Sequence, residues 1–275
     1  MNKKLLTIAV ASAVAAPGVV AADVSVYGSV MPRITVADSN VTMSDGGSRF
    51  GFKSSTDMGN GNTVSGVIEA GFDVSQGKTA SGNTSRLGNI KFSGDWGSAT
   101  IGSQWSVMTD TEWNTCVLSG ASCMGLLGYQ GRVADAVVIR GPAIGPLGIA
   151  LQLEADGSDI AAWAASTGID LGSINISASY RDDDSDAATQ VSAGTSVAGV
   201  SLAASYSSLA SGADGNSVYA NLPVGSGLKL SYSETGSSSG MGANYNVDLG
   251  GATMRLIAYE TAGVTSAAVQ WIYGM

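Results

Sequence analysis

The sequence predicts an all-β fold: a transmembrane antiparallel up-and-down β-barrel of about sixteen strands with one long connection folded inward. Three observations predict it. Apolar and polar residues alternate along almost every segment after residue 22. Tight glycine turns alternate with looser, more polar ones. The composition is 38 Gly, 5 Pro and no His in 275 residues, with 13% charged residues. That fraction is low beside the roughly 25% of a soluble domain. No run of about 18 apolar residues is present to span as a helix.

The elements follow in order. Residues 1–22 have the parts of a cleaved signal peptide: Lys3 and Lys4, the apolar run Leu5 to Ala16, and small residues Val20-Ala21-Ala22 before the cleavage point. Without Lys3 and Lys4 the mature chain 23–275 carries 11 basic and 22 acidic residues, a net charge of −11. An acidic exported chain argues against nucleic acid as a partner.

Strand segments then begin near 24, 47, 63, 85, 98, 132, 146, 160, 173, 187, 199, 216, 227, 240, 251 and 264. Each is long enough, at roughly nine to eleven residues, to cross a bilayer when tilted. In "INISASYR", Ile174, Ile176, Ala178 and Tyr180 oppose Asn175, Ser177, Ser179 and Arg181. In "GLKLSYS", Leu228, Leu230 and Tyr232 oppose Lys229, Ser231 and Ser233. The segment "IAAWAASTGID" is Ala-rich and fits a helix as well as a strand. A soluble two-sheet sandwich has the same alternation. Aromatics near segment ends (Phe50, Trp96, Tyr180, Tyr206, Tyr232, Trp271, Tyr273) point instead to a lipid-facing girdle.

The hairpin "SRFGFKSSTDMGNGNTVSGVIEAGFD" places Phe50, Phe52, Ile68 and Phe72 on one face and Arg49, Lys53, Glu69 and Asp73 on the other. In a barrel the first face meets lipid and the second lines the lumen. Closure leaves no edge with unpaired backbone groups in hydrocarbon.

This hairpin, with "VSVYGSV" before it and "LGNIKFSGDWGSATIGSQ" and "RVADAVVIRGP" after it, resembles the Gram-negative general porins, the trimeric diffusion channels of the outer membrane. The shared features are the Ser-Arg-x-Gly-x-Lys start, the Asp-x-Gly-Asn-Gly turn and the Gly-Asp-aromatic-Gly turn. They are concentrated in residues 24–108. The resemblance implies an outer-membrane channel for small hydrophilic solutes and ions, set in outer-membrane lipid and assembled as a homotrimer. The alternative is a barrel with a mainly structural or adhesion and receptor role. The chain departs from the family in ending "VQWIYGM" rather than on an aromatic, in lacking a Pro-Glu-Phe-Gly-Gly type motif, and in being short.

The one long connection, about 109–131, follows the fifth strand, where the family's constriction loop folds into the lumen. It carries Asp110 and Glu112; the wall segments nearest in sequence carry Arg33, Arg49, Lys53 and Lys91. Acid on the loop facing base on the wall sets a transverse field across a narrow passage. Solvated lining and an exposed loop are the plainer readings. Glu69 and Asp73 complete the expected lining. The net charge of −11 gives a weak cation preference. Cys116 and Cys123 bracket "VLSGAS" on an oxidising export route, which suits a disulfide within the loop; free thiols are the alternative.

No enzyme is expected. Without His there is no Ser-His-Asp or Cys-His arrangement. The glycines of "MGNGN" and "GSSSG" mark turns with no helix after them to cradle a phosphate, so no cofactor is expected. The acidic run Asp182 to Asp186 reads as a solvated turn or a Ca²⁺-binding loop tip.

Overall fold

The computed structural model describes residues 23–79, 85–112, 131–157 and 159–275. They form one closed antiparallel barrel of sixteen strands. The strands are β1 (Asp23–Val30 continuing as Pro32–Ala37), β2 (Asn40–Asp45 continuing as Arg49–Gly59), β3 (Asn62–Asp73), β4 (Ser85–Gly94), β5 (Gly97–Trp105), β6 (Arg132–Arg140), β7 (Leu147–Asp156) and β8 (Asp159–Asp170). They continue as β9 (Ile174–Asp182), β10 (Ala187–Val197), β11 (Val200–Leu209), β12 (Asp214–Leu222), β13 (Leu228–Thr235), β14 (Ser238–Asp248), β15 (Thr253–Thr261) and β16 (Val264–Gly274). A two-residue strand, Lys78–Thr79, folds back onto the end of β3. Among the described residues the helix is a single turn, α1 (Thr109–Glu112).

Every expected strand start but one lies within two residues of the observed one. The exception is the second. Ser29 pairs with Arg49 and Pro32 with Asp45, so two residues of β1 face three of β2, a β-bulge. Gly47 and Ser48 donate their N–H groups to the Asp45 carboxylate at 2.7 and 2.9 Å. Met31 donates its N–H to Ser48 Oγ at 2.8 Å. The strand therefore begins at Asn40, and the turn residues of "SDGG" make a bulge inside it.

Closure is between β1 and β16, from Ser29 opposite Gly274 to Ala37 opposite Ser266. Gly28 and Met275 add two reciprocal backbone bonds at 3.0 and 3.1 Å. These are main-chain bonds, so the final position closes the ring without an aromatic side chain. The single ring leaves no place for a second sheet, which disposes of the sandwich.

The two faces invert the usual burial. Phe50, Phe52, Ile68, Ile176, Leu202 and Leu230 are exposed on the outside, whereas Gln152, Gln190, Ser207, Ser233 and Gln270 are buried within. Such an outer surface is stable in hydrocarbon and costly in water. Trp163 and Tyr180 pack together there, ring centres 5.1 Å apart. Small hydroxyls form cross-strand rungs inside: Ser177 with Ser192 at 2.8 Å and Ser205 with Ser217 at 3.0 Å.

"IAAWAASTGID" is strand β8. Ala162, Ala164 and Ser166 face inward and are buried, while Trp163 stays exposed outside. The small inward residues have a packing reason. Val107 and Met108, at the root of the long connection, sit fully buried against Val138, Ala150, Ala164 and Ala188 of β6, β7, β8 and β10. Small side chains on the wall leave room for that root.

Candidate functional site: the inner wall and the root of the long connection

The chain leaves β5 and turns inward. Ser106 donates its N–H to Gly131 O at 3.1 Å, pinching the two ends of the connection together. Val107 N–H then donates to Gln152 Oε1 at 2.9 Å. Gln152 Nε2 donates to Glu154 Oε1 at 2.9 Å, and Arg181 Nε donates to the same oxygen at 3.3 Å. Arg181 also pairs with Asp183, in the β9–β10 connection. One polar chain thus runs from the root of the long connection to the β9–β10 connection on the same rim.

α1 lies against β8, β9 and β10. Asp110 is held there from two strands. Arg140, the last residue of β6, donates through Nη1 and Nη2 to its two carboxylate oxygens at 2.7 and 3.0 Å. Ser166 Oγ of β8 donates to Oδ2 at 2.6 Å. Thr111 Oγ1 donates to Ser179 Oγ at 2.8 Å. A bidentate guanidinium–carboxylate pair is directional as well as strong, so α1 has a set orientation on the wall. Arg140 was missed by the sequence reading. Its signal was present: it has the inward parity of "RVADAVVIR".

The predicted basic residues do not gather around Asp110. Arg49 lies 3.8 Å from Glu69, and Arg86 donates to Glu69 at 2.6 Å. Tyr27 Oη also donates to Glu69, at 3.0 Å, and Lys53 Nζ sits 5.6 Å from the Tyr27 ring centre. Gly51 makes this cluster possible. A Cβ there would lie 2.6 Å from Ile68 O and 2.8 Å from the Tyr27 ring. Glu69 is therefore a buried ionic hub on the β1–β4 wall. Lys91 faces inward on β4 opposite Thr100, and Arg33 lies on β1 opposite Gln270. Asp73 caps a turn, its Oδ1 accepting from the Ser75 N–H and hydroxyl at 2.9 and 2.6 Å. The Glu112 side chain, Cys116 and Cys123 lie outside the described residues.

In the β9–β10 connection the Asp183 carboxylate accepts from Ser185 Oγ and from the N–H groups of Ser185 and Asp186 at 3.1 Å. The Ser185 hydroxyl first, then Arg181, hold its carboxyl well below the usual carboxylate range. Its Oδ1 is occupied by the loop itself and its Oδ2 by Arg181 of β9. Among the described residues no cluster of three or more potential ligands for a metal ion is present.

A lipid-facing outer surface, a polar inner wall and an inward-turned connection after the fifth strand describe a channel. The sequence model of the Gram-negative porins matches residues 9–274.

The chain belongs to the Gram-negative porin family.

It is an outer-membrane porin channel. Solved porins share its fold. An anion-selective porin from Comamonas acidovorans superposes with a TM-score of 0.78 at 15% identity, over 92% of this chain and 100% of that one. OmpF of Salmonella typhi, solved with daunomycin, gives 0.74 at 16% identity, over 92% and 97%. In-vitro folded OmpT of Vibrio cholerae, in its trimer form, gives 0.73 at 12%, over 93% and 100%. At these identities the likeness is one of fold. No curated protein sequence matches this porin.

Proposed function

We propose that this porin carries small hydrophilic solutes and ions across the outer membrane by passive diffusion, narrowed by residues of about 109–131. The observation that supports this most is the anchoring of Asp110 by Arg140 and Ser166, which commits the root of the connection to the inner wall. Residues 1–22 serve export as a signal peptide, the mature barrel being 23–275. Three barrels form a homotrimer, as the trimer form of the Vibrio cholerae protein suggests.

On ion preference, net charge and charge placement disagree. The net charge argues for cations. Much of the negative charge sits in turns and at strand ends, as at Asp38, Asp57, Asp95, Asp170, Asp184 and Asp248. Glu69, Glu154 and Asp110, on the inner wall, are each engaged by an arginine. Salt screens exposed charges over about 8 Å at physiological strength. The bases along the path therefore outweigh acids at the rims, and the proposed preference is for anions.

The test is conductance of the purified protein in a planar bilayer. Stable step currents that scale with salt support a diffusion channel; an electrically silent, correctly inserted barrel rules it out.

A further inference from the structure

Resting on the channel reading, we propose that the inner wall of β12–β15 holds a docking bay for an uncharged sugar ring, bounded by Tyr219 and Tyr259 and floored by Ser231 and Gly242.

The register aligns the bay. Tyr219 of β12 lies opposite Ser231 of β13, Ser231 opposite Gly242 of β14, and Gly242 opposite Tyr259 of β15. Ser231 is buried inside while its neighbours Leu230 and Tyr232 are exposed outside. Residues directly opposite one another share a face, so all four have the inward parity. The tyrosines stand three strand spacings apart, about 14 Å between backbones. On the concave side of a closed ring their inward directions converge. The adjacent row is again small: Ser233 lies opposite Gly240, and Gly240 opposite Thr261.

Two observations point to a ligand. Glycine inside a strand weakens it and marks a place where something approaches closely. Gly240 and Gly242 are not among the glycines with positive φ, so the backbone does not require them. What they supply is room between the two tyrosines. The second observation is polar. Ser231 Oγ, Ser233 Oγ and Thr261 Oγ1 are buried and have no hydrogen-bond partner among the described residues. Elsewhere on the inner wall hydroxyls are matched: Ser205 with Ser217, Ser177 with Ser192, and Tyr27 with Glu69.

A sugar ring answers both. Its C–H faces pack on the faces of tyrosine rings. Its hydroxyls donate and accept, as serine and threonine hydroxyls do. No carboxylate enters these two rows, since Glu234 and Glu260 have the outward parity of Tyr232 and Leu256. Lys229, one row further along, lies opposite Asn221 and Asn244 and adds N–H donors for sugar oxygens. An open, weak bay permits release as well as capture, as passage requires.

The experiment uses the full porin in a planar bilayer, with D-glucose as probe and sorbitol, a linear polyol of nearly the same size, as control. Glucose at constant ionic strength should reduce the ion current and saturate. Sorbitol should give only the shallow linear fall of a more viscous bath. The double substitution Tyr219→Ala, Tyr259→Ala should raise the half-saturating glucose concentration about tenfold. Gly242→Val, which fills the bay, should abolish saturation. Identical linear falls for glucose and sorbitol overturn the bay while leaving the channel reading intact. Unchanged half-saturation in both variants overturns it equally. Saturation by glucuronate but not by glucose would trace the effect to Lys229 and overturn the uncharged ring as occupant. If the variants do not assemble, the comparison of glucose with sorbitol on the unsubstituted porin decides alone. No conductance at all overturns the channel reading and the bay with it.

Discussion

Arg140 and Asp110 form a two-point ion pair, 2.7 and 3.0 Å, between the last residue of a barrel strand and the single helical turn that starts the inward connection. The acid expected to face a basic wall across the passage is instead clamped to the wall on its own side. Its charge orients α1 on that wall.

Removing one partner should loosen that orientation without unfolding the barrel. Asp110→Asn keeps the shape, loses the charge, and leaves Arg140 poorly matched, a local cost of about 1–3 kcal/mol. Open-channel current noise should rise, while heat-resistant mobility on gels stays unchanged. A quiet, unaltered single-channel trace would show that the pair does not govern the passage.

The outer face should reject charge and the inner face accept it. Arg in place of Leu202 or Leu230, both exposed outside, should cost about 2–4 kcal/mol near the bilayer midplane. Ser231→Arg, on the inner parity of the same strand as Leu230, should leave folding into lipid vesicles nearly unchanged. Ser177 is a poorer inner control, because it already bonds Ser192. Chemical-denaturant unfolding from vesicles compares the two faces directly; equal losses would contradict the assignment.

The Asp182–Asp186 connection should be insensitive to moderate acid. Asp183 has a depressed pKa, so its stabilising bonds are present above the ordinary carboxylate range and are lost only as pH falls through the lower folded value. Amide hydrogen exchange at Ser185 and Asp186 should stay slow from neutral pH down through the usual carboxylate range, after correction for intrinsic rates. Asp183→Ala should abolish that protection at every pH.

Cys116 and Cys123 are expected to form a disulfide within the connection. A ring of about eight residues contributes roughly 2–3 kcal/mol in the chain-entropy model. Thiol labelling of the native porin should modify neither cysteine until a reductant is added. Labelling of both without reductant would exclude the bond.

Chemical cross-linking in native membranes should trap trimers. Gly28 and Gly66, of outward parity on β1 and β3, keep that surface low enough for close approach. Only monomers after efficient cross-linking would remove the trimer.

Much of this was legible in the chain itself. Side-chain alternation is a local property of an extended backbone, so "INISASYR" and "GLKLSYS" revealed their lipid and lumen faces without any partner strand. The turns marked where strands end, and the aromatic ends marked the bilayer. What the sequence could not decide is which inward residues meet. Asp110 and Arg140 are thirty positions apart, and Tyr27 and Glu69 forty-two. Their relations depend on stagger, on the bulge at Gly46 to Ser48, and on where β16 rejoins β1. Each is a cooperative property of the closed ring, since one slipped register turns every side chain of a strand to the other face. The same holds for β8. Its alanines suit helix or strand in isolation, and the buried root of the connection gave them their role. Local physics settled the faces of this porin; closure of the barrel settled which charges pair.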